Sequence, residues 1–187
     1  MTTVLILYAT TYGHTAKVAQ HLAQALAAHG HQVTVRDVMT SPSPAELAAA
    51  DAMILGSPVY QNRHLRAIHV FARQHRKLLN RLPSAFFSVS GVAASSRPEN
   101  HAVARKVVAH FCVATGWYPP QVAIIAGAIP YTRYPPLTRL LIRWFRARQG
   151  GDTDTRRDYA YTDWALVTAF ADAVVRTLDA APRLSSS

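Results

Sequence analysis

Hydroxyl-bearing side chains cluster near the start of the chain, in residues 10–15, which read Thr-Thr-Tyr-Gly-His-Thr. This segment follows an apolar run at 4–8 and precedes a stretch with helical spacing, so a strand, a turn and a helix are predicted in that order. A helix N-terminus offers unpaired N–H groups and partial positive charge, which favour a phosphate. Three threonines add hydroxyl donors, and Gly13 lets the backbone approach an anion closely. The turn therefore predicts a phosphorylated ligand.

Strand and helix signals alternate along the rest of the chain. Strands are predicted at residues 4–8, 32–38, 52–56, 84–89 and 122–128, and helices at 13–28, 44–50, 65–79, 99–114 and 162–178. The alternation indicates an α/β fold with a doubly wound, five-stranded parallel sheet of strand order 2-1-3-4-5. Such a sheet binds its ligand at the carboxyl ends of the strands, at the switch point of the strand order. Residues 10–15 lie at that point.

The final helix begins with Thr162 and Asp163, which we expect to cap it and to form its first turn. Its apolar spacing predicts the following inward residues: Ala165, Leu166, Ala169, Phe170, Ala173 and Val174. We expect one domain at 1–181, with an insertion at 129–158 before the last helix and a disordered tail at 182–187.

The insertion contains a predicted helix at 137–148, which follows two prolines. One face carries Leu137, Leu140, Leu141, Trp144 and Phe145, and the other carries Arg139, Arg143 and Arg146. An aromatic and apolar face beside a basic face is typical of a helix on a membrane surface. Packing on its own domain and formation of a dimer face are the two alternatives.

The chain has a net charge of +10 and a pI of about 10.4, and 17 of its 20 basic residues are arginine. Nucleic acid, an anionic membrane surface, an anionic substrate or simply a solvated basic surface could each explain this charge. We find no nucleic-acid-binding module and predict no nucleic-acid partner. Cys112 is the single cysteine, so no disulfide framework is expected. With no basic leader and no spanning apolar run, we expect a cytoplasmic protein that is peripheral on the inner face of the cell membrane.

Three predicted loops meet at the carboxyl ends of the strands, at residues 10–15, 56–62 and 88–93. The arrangement resembles the flavodoxin family, in which the first loop holds the FMN phosphate and two later loops enclose the isoalloxazine ring. The resemblance implies FMN as cofactor, and Tyr12 stands where the family usually has threonine. The implied FMN-binding residues are Thr10, Thr11, Tyr12, Gly13, His14, Thr15, Pro58, Val59, Tyr60, Ser90, Gly91 and Val92. Neither a Walker loop nor a dinucleotide-binding glycine motif is present.

Two segments of the second half narrow this resemblance. Residues 150–155 read Gly-Gly-Asp-Thr-Asp-Thr and residues 161–164 read Tyr-Thr-Asp-Trp, as in the bacterial flavodoxin-like protoporphyrinogen oxidases. These enzymes also carry a long insertion before the last helix, and the resemblance implies a third role for it, in shaping a site for the tetrapyrrole or a quinone. The resemblance implies oxidation of protoporphyrinogen IX to protoporphyrin IX, with electrons passed to menaquinone or ubiquinone. Arg133 and Arg139 of the insertion could pair with the substrate propionates, or equally face anionic lipid.

Nine histidines raise the question of a metal site, but their spacing shows no ligand pattern, so no metal is predicted. His29 and His31 flank Gly30, and both are expected to be exposed to solvent. Three other functions remain open. They are a flavodoxin-like electron carrier, which is typically acidic and therefore disfavoured by the charge, an NAD(P)H:quinone reductase, and a flavodoxin-fold scaffold that has lost FMN. A homo-oligomer also remains open.

Overall fold

The computed structural model describes residues 1–95, 97–129, 131–133, 135–148 and 154–180. The predicted disordered tail at 182–187 and most of the Gly-Gly-Asp-Thr-Asp-Thr segment lie outside these ranges. The side chains of Arg133, Phe145 and Arg146 lie outside the description as well.

The described residues form eight strands and seven α-helices. The strands are β1 (Thr3–Tyr8), β2 (Gln32–Asp37), β3 (Ala52–Tyr60), β4 (Arg63–His64), β5 (Ser84–Ser90), β6 (Gln121–Ala126), β7 (Ala128–Ile129) and β8 (Tyr159–Ala160). The helices are α1 (His14–Ala28), α2 (Pro44–Ala49), α3 (Arg66–Gln74), α4 (Arg76–Arg81), α5 (Pro98–Thr115), α6 (Pro136–Arg148) and α7 (Trp164–Ala180).

Five strands form a parallel sheet in the order β2-β1-β3-β5-β6. Counted among themselves, these strands have the order 2-1-3-4-5, which confirms the predicted doubly wound sheet. Tyr8 pairs with Gly56, and Ser57 pairs with Ser88. This register brings the ends of β1, β3 and β5 to one side of the sheet, which we call the carboxyl edge.

Helices cover both faces of the sheet, and the core is correspondingly divided in two. Val4 and Ile6 of β1 pack with α1 and α7, whereas Leu5 and Leu7 pack with α3, α4 and α5. Successive side chains of a strand point to opposite faces. A strand that is covered on both faces therefore needs a continuous apolar run, which is why the strand at 4–8 was visible in the sequence.

The insertion lies between β6 and α7 and is closed at its base by the antiparallel pair β7–β8, in which Ile129 pairs with Tyr159. Within it, Tyr131 is fully buried. The residues that pack around Tyr131 form what we call the tyrosine cluster: Tyr12, Ile142, Tyr159 and Tyr161. Because Tyr12 belongs to residues 10–15, this cluster attaches the insertion to the carboxyl edge.

Helix α6 carries an outward row of apolar side chains, which we call the apolar stripe. Its members and their exposed fractions are Leu137 (83%), Leu140 (62%), Leu141 (55%) and Trp144 (47%). Ile142 lies on another side of α6 and packs in the tyrosine cluster. Helix α6 therefore packs on its own domain through Ile142 while the stripe stays exposed, and a membrane surface, a substrate or quinone site and a dimer face remain the alternatives for the stripe. No helix within the described ranges is long and apolar enough to cross a membrane.

Two predicted elements differ in extent from the observed ones. The helix expected at 65–79 is divided at His75, which has a ψ of +17° and whose ring lies 4.4 Å from the ring of Phe71. The loop expected at 56–62 is the end of β3, which turns through Gln61 and Asn62 into β4. Both turn residues have positive φ, 49° and 59°, as a two-residue hairpin requires.

Two burial predictions are also wrong in part. Along α7 the buried residues are Val167, Phe170, Ala171, Val174, Val175 and Leu178, whereas Leu166 is exposed. Apolar residues occur all round this helix, so their spacing does not define one buried face. Contact with α1 and the sheet determines which face is buried. His31 is buried, because its backbone N–H donates to the Leu26 carbonyl and turns the chain back toward α1. His29 is exposed as expected.

Candidate functional site

The first loop, residues 10–15, passes from β1 into α1 at the carboxyl edge. Gly13 is the N-cap of α1 with a φ of +83°, a conformation that favours glycine, and no side chain caps this helix end. The Gly13 N–H donates to Thr10 Oγ1 at 2.9 Å, which curls the loop. The N–H groups of the first helical turn are thus left for an external acceptor, as a phosphate-binding turn requires.

Tyr12 has a role that its position in the sequence did not indicate. Its ring meets the ring of Tyr60 edge to face, with centroids 6.0 Å apart, and it also packs in the tyrosine cluster. The aromatic side chain therefore contacts both β3 and the insertion, where a threonine would only add a hydroxyl to the first loop. The number of tyrosines in the insertion was the sequence feature that could have indicated this contact.

Tyr60 ends β3 and is presented by the β3–β4 hairpin, after Pro58 and Val59. Burial raises the pKa of the Tyr60 phenol, and a hydrogen bond with the Thr11 side chain opposes this shift. The phenol is therefore neutral at pH 7, and Tyr60 is still 37% exposed at the carboxyl edge. A partly exposed aromatic ring beside the first loop offers a flat contact surface for a heteroaromatic ligand.

His64, for which the sequence predicted no role, holds the β3–β4 hairpin against the sheet. Its Nε2 lies 2.9 Å from Ser88 Oγ of β5, and the ring meets the stacked rings of Phe86 and Phe111 edge to face, with both centroids at 5.1 Å. Burial, and then the charge of His69, lower the pKa of His64 to about 3, so the ring is neutral. The next residue, Leu65, donates its N–H to Ser57 Oγ at 3.1 Å. Strand β4 is thereby fixed to β3 and β5.

The third loop starts at Ser90, the last residue of β5, and continues through Gly91 and Val92 in a 3₁₀ turn. The Ser90 hydroxyl is buried and has no hydrogen-bond partner among the described residues. The Ser90 carbonyl accepts from Gly127 N–H at 3.0 Å, and a Cβ on Gly127 would lie 3.4 Å from the Ser90 backbone. The third loop therefore borders the base of the insertion, with a polar group available for a ligand.

Residues 161 and 162 return the chain from the insertion to the sheet. Tyr161 N–H donates to the Gly127 carbonyl at 3.2 Å, and Thr162 Oγ1 donates to the Ala126 carbonyl at 2.7 Å. Thr162 Oγ1 also lies 2.7 Å from Nε2 of His14 in the first loop. Of the two residues expected to cap α7, only Asp163 does so, because its carboxylate accepts from two N–H groups of the first turn. Thr162 instead bridges β6 and α1.

Arg139 and Arg133 are the two residues predicted to bind the substrate propionates. Arg139 is half-buried, and its Nη2 donates to the Thr132 carbonyl at 3.4 Å. The side chain of Arg133 lies outside the description. Thr132 is itself held by Asp158, whose Oδ1 accepts from its backbone N–H and its hydroxyl. A role for Arg139 in substrate binding stays a prediction.

The carboxyl edge fits FMN in three respects. The N-terminus of α1 is free of side-chain caps, the buried Ser90 hydroxyl lacks a partner within the described part of the chain, and the Tyr60 ring is accessible beside the first loop. These groups suit the phosphate, a polar ring atom and the flat ring, respectively. Among the described residues, no group of three His, Cys, Asp or Glu side chains could hold a metal ion.

Comparison with known proteins agrees with this geometry. Residues 5–156 match the model of the flavodoxin domain, which indicates FMN as the cofactor. The chain is 34% identical over 178 residues to the protoporphyrinogen IX dehydrogenase [quinone] of Escherichia coli strain K12, covering 94% of this chain and 96% of that protein. It is 34% identical over 168 residues to the protein of that name from Leishmania major, covering 89% and 72%.

Solved structures show the same fold at low sequence identity. Oxidised flavodoxin 1 from Bacillus cereus matches 96% of this chain and 99% of its own, with a TM-score of 0.54 and 13% identity. A short-chain flavodoxin associated with a non-canonical PDU bacterial microcompartment matches 95% and 99%, with a TM-score of 0.54 and 16% identity. By its flavodoxin domain and by its full-length similarity to these enzymes, the chain belongs to the flavodoxin-like protoporphyrinogen IX dehydrogenase (quinone) family.

Proposed function

We propose that this chain is an FMN-dependent dehydrogenase that oxidises protoporphyrinogen IX to protoporphyrin IX and passes the electrons to a quinone. The observation that carries the proposal is the contact of the first loop with the base of the insertion, through Tyr12 and His14. This contact joins the carboxyl edge, where FMN is expected to bind, to the insertion, which by the family resemblance plain flavodoxins lack. The overall reaction removes six hydrogen atoms from the porphyrinogen, so three quinones become three quinols.

Bound FMN supplies hydride acceptance at its isoalloxazine ring. The chain's own residues bind and orient it. The α1 N-terminus and the hydroxyls of Thr10, Thr11 and Thr15 hold the phosphate, with Gly13 allowing close approach. Pro58, Val59 and Tyr60 line one side of the ring, and Ser90, Gly91 and Val92 the other, as the family resemblance implies.

Arg139 is the residue of this chain that we assign to a substrate propionate. Arg139 lies in the first turn of α6, and its Nη2 is 3.4 Å from the carbonyl of Thr132, the neighbour of Tyr131 in the chain. A guanidinium pairs with a carboxylate through two parallel hydrogen bonds. We expect Arg139→Ala to raise the KM for protoporphyrinogen IX while the Kd for FMN is unchanged. Arg148→Ala at the far end of α6 is the matched control. Equal KM values for the two variants would remove Arg139 from substrate binding.

The apolar stripe is proposed to contact an anionic membrane surface, where a lipid-soluble quinone is available. The stripe is exposed, and Arg143 and Arg148 on the same helix are exposed with it. The chain carries ten net positive charges, which favour a negatively charged surface. Burying apolar side chains at the lipid boundary adds to this attraction. The same stripe on a second copy would instead form a dimer, which the test separates.

The reaction is tested anaerobically with FMN-loaded protein, protoporphyrinogen IX and a menaquinone analogue. We expect porphyrin fluorescence that requires both FMN and the quinone. A protein that binds FMN but gives no quinone-dependent porphyrin would contradict the dehydrogenase. Reduction of the bound flavin by NADPH would instead favour an NAD(P)H:quinone reductase, and reduction by a ferredoxin-type donor alone would favour an electron carrier.

Membrane contact is tested by sedimentation with vesicles of phosphatidylcholine and phosphatidylglycerol. A variant with Leu137, Leu140, Leu141 and Trp144 all replaced by serine should lose binding and keep FMN. The matched control replaces Val113 and Tyr118, exposed apolar residues elsewhere, by serine. Light scattering after gel filtration identifies the alternative, because a dimer that the stripe variant abolishes, without any vesicle binding by the unmodified protein, would assign the stripe to self-association.

A further inference from the structure

Thr162 connects the return segment of the insertion to the first loop through its side-chain hydroxyl. Its Oγ1 lies 2.7 Å from the Ala126 carbonyl oxygen and 2.7 Å from His14 Nε2. His14 is the first residue of α1, and its N–H belongs to the turn that faces a phosphate. The contact spans 148 positions of sequence, so it joins two distant segments at one point of the carboxyl edge.

The direction of each hydrogen bond follows from the chemistry of the groups. A carbonyl oxygen only accepts, so the Thr162 hydroxyl proton is directed to Ala126. The remaining lone pair of Thr162 Oγ1 then accepts from His14, whose proton must be on Nε2. Burial, and then the charge of Lys17, lower the pKa of His14, so the ring with this single proton is the form at neutral pH.

We infer that Thr162 is a positioning residue for the cofactor phosphate and acts through the ring of His14. The ring is held between β6 and α1, and this fixes the first turn of α1 with its N–H groups directed at the phosphate. Because linkage is reciprocal, the bound phosphate also stabilises the return segment at 159–162, which closes the insertion. The inference rests on the part of the proposed function that places the FMN phosphate at the first loop, and not on the identity of the substrate.

A second histidine–threonine pair joins the same two parts of the molecule and provides a matched control. His21 Nε2 lies 3.0 Å from Thr168 Oγ1, and that hydroxyl also donates to a backbone carbonyl, at 3.1 Å from the Trp164 oxygen. His21 is two helical turns beyond His14 on α1, away from the phosphate-binding end. Loss of either pair removes the same kind of bond between α1 and the α7 segment, but only the His14–Thr162 pair lies beside the phosphate.

The experiment measures the Kd of FMN and of riboflavin, which lacks the phosphate, for Thr162→Val, Thr162→Ser and Thr168→Val. Loss of one hydrogen bond costs about 0.5–1.5 kcal/mol net, so Thr162→Val should weaken FMN binding by up to about twofold to twelvefold. Riboflavin binding should be unchanged. Thr162→Ser keeps the hydroxyl and should bind FMN as the unmodified protein does, and so should Thr168→Val.

His14→Ala and the double variant with Thr162→Val test whether the two side chains act as one unit. We expect the double variant to bind FMN no more weakly than His14→Ala alone, because the second change removes a bond that is already lost. Additive losses would overturn the inference, and so would an equal loss of FMN and riboflavin affinity. Unmodified protein that does not bind FMN would instead refute the proposed function itself.

Hydrogen exchange provides a readout of the insertion that is independent of activity. FMN should slow amide exchange at residues 159–162 in the unmodified protein and in Thr168→Val, but not in Thr162→Val. If Thr162→Val fails to fold, the comparison of His14→Ala with His21→Ala gives the same test from the other side of each pair. Equal FMN protection of 159–162 in the Thr162 and Thr168 variants would overturn the coupling.

Discussion

The carboxyl edge and helix α6 use similar side chains in opposite ways. At the carboxyl edge, Tyr12 and Tyr60 contact each other, and polar groups such as His64 and Thr162 are bonded to neighbouring strands. On α6, leucines and a tryptophan face outward with 47–83% of their surface exposed. The first region is held by contacts within the fold, whereas the side chains of the second are left exposed.

The difference predicts which substitutions change the stability of the fold and which change only the recognition of another surface. Substitutions at the carboxyl edge should change both the free energy of unfolding and cofactor binding, because each side chain there has several partners. Substitutions in the apolar stripe should change only the interaction with a surface, because the stripe contributes little to the core. The expected effects below decrease from the first region to the second.

Gly56→Ala should have the largest effect. A Cβ at this position would lie 1.9 Å from Cζ of Phe87, whose ring is fully buried between β5 and the helices. Shifting a ring in a close-packed core forces strain on its neighbours, so we expect a loss of about 3 kcal/mol in the free energy of unfolding, or no folded protein. Urea denaturation followed by circular dichroism measures the loss. Gly91→Ala is the control for stability, because a Cβ there meets nothing within 4 Å, and a similar loss in both would contradict the steric explanation.

Acidification should destabilise the carboxyl edge through His64. Its pKa is about 3 in the folded protein and about 6.5 when unfolded, so the unfolded chain binds more protons between these values. The neutral ring makes its full contribution to the free energy of unfolding above about pH 6.5, and this contribution is lost as the pH falls toward about 3. From pH 7 to pH 5 the loss should be about 2 kcal/mol in the free energy of unfolding. His64→Gln should lack this part of the pH dependence, whereas a variant with the unmodified pH profile would exclude His64 as its source.

Tyr12→Thr should have a smaller effect on stability and a specific effect on the insertion. The variant loses the edge-to-face contact with Tyr60 and the contact with the tyrosine cluster, which together should lower the free energy of unfolding by about 1 kcal/mol. Proteolysis of the native protein should become faster within residues 131–160. Tyr118→Thr, on an exposed side chain, should change neither quantity. Equal cleavage of both variants would show that Tyr12 does not hold the insertion.

Leu140→Ser and Leu141→Ser should have the smallest effect on folding, within about 0.5 kcal/mol, because both side chains are exposed. Ile142→Ser, one residue further along the same helix, should lower the free energy of unfolding by about 1 kcal/mol, because Ile142 packs in the tyrosine cluster. Thermal unfolding of the three variants measures the difference. A similar loss in all three would mean that the apolar stripe is part of the core.

The sheet was predictable because its strands are covered on both faces and therefore appear as continuous apolar runs, as at 4–8. The position of the first loop was predictable because Gly13 and the threonines lie between a continuous apolar run and a stretch with helical spacing, whereas its phosphate-binding role stays a prediction. The β3–β4 hairpin was missed because Gln61 and Asn62 lack the glycine that usually marks a two-residue turn. The contacts of Tyr12, His64 and Thr162 were missed because each depends on a partner at least 24 residues away in the sequence.

The pairing of β7 with β8 brings the two ends of the insertion next to each other, with Ile129 beside Tyr159. A segment whose ends are adjacent can be removed or exchanged without rerouting the rest of the chain. A short turn from residue 129 to residue 159 should therefore leave a minimal five-stranded flavin-binding domain. The insertion could then serve as a portable module, grafted between the last strand and last helix of another protein of this fold, where it would carry its tyrosines and its apolar stripe with it.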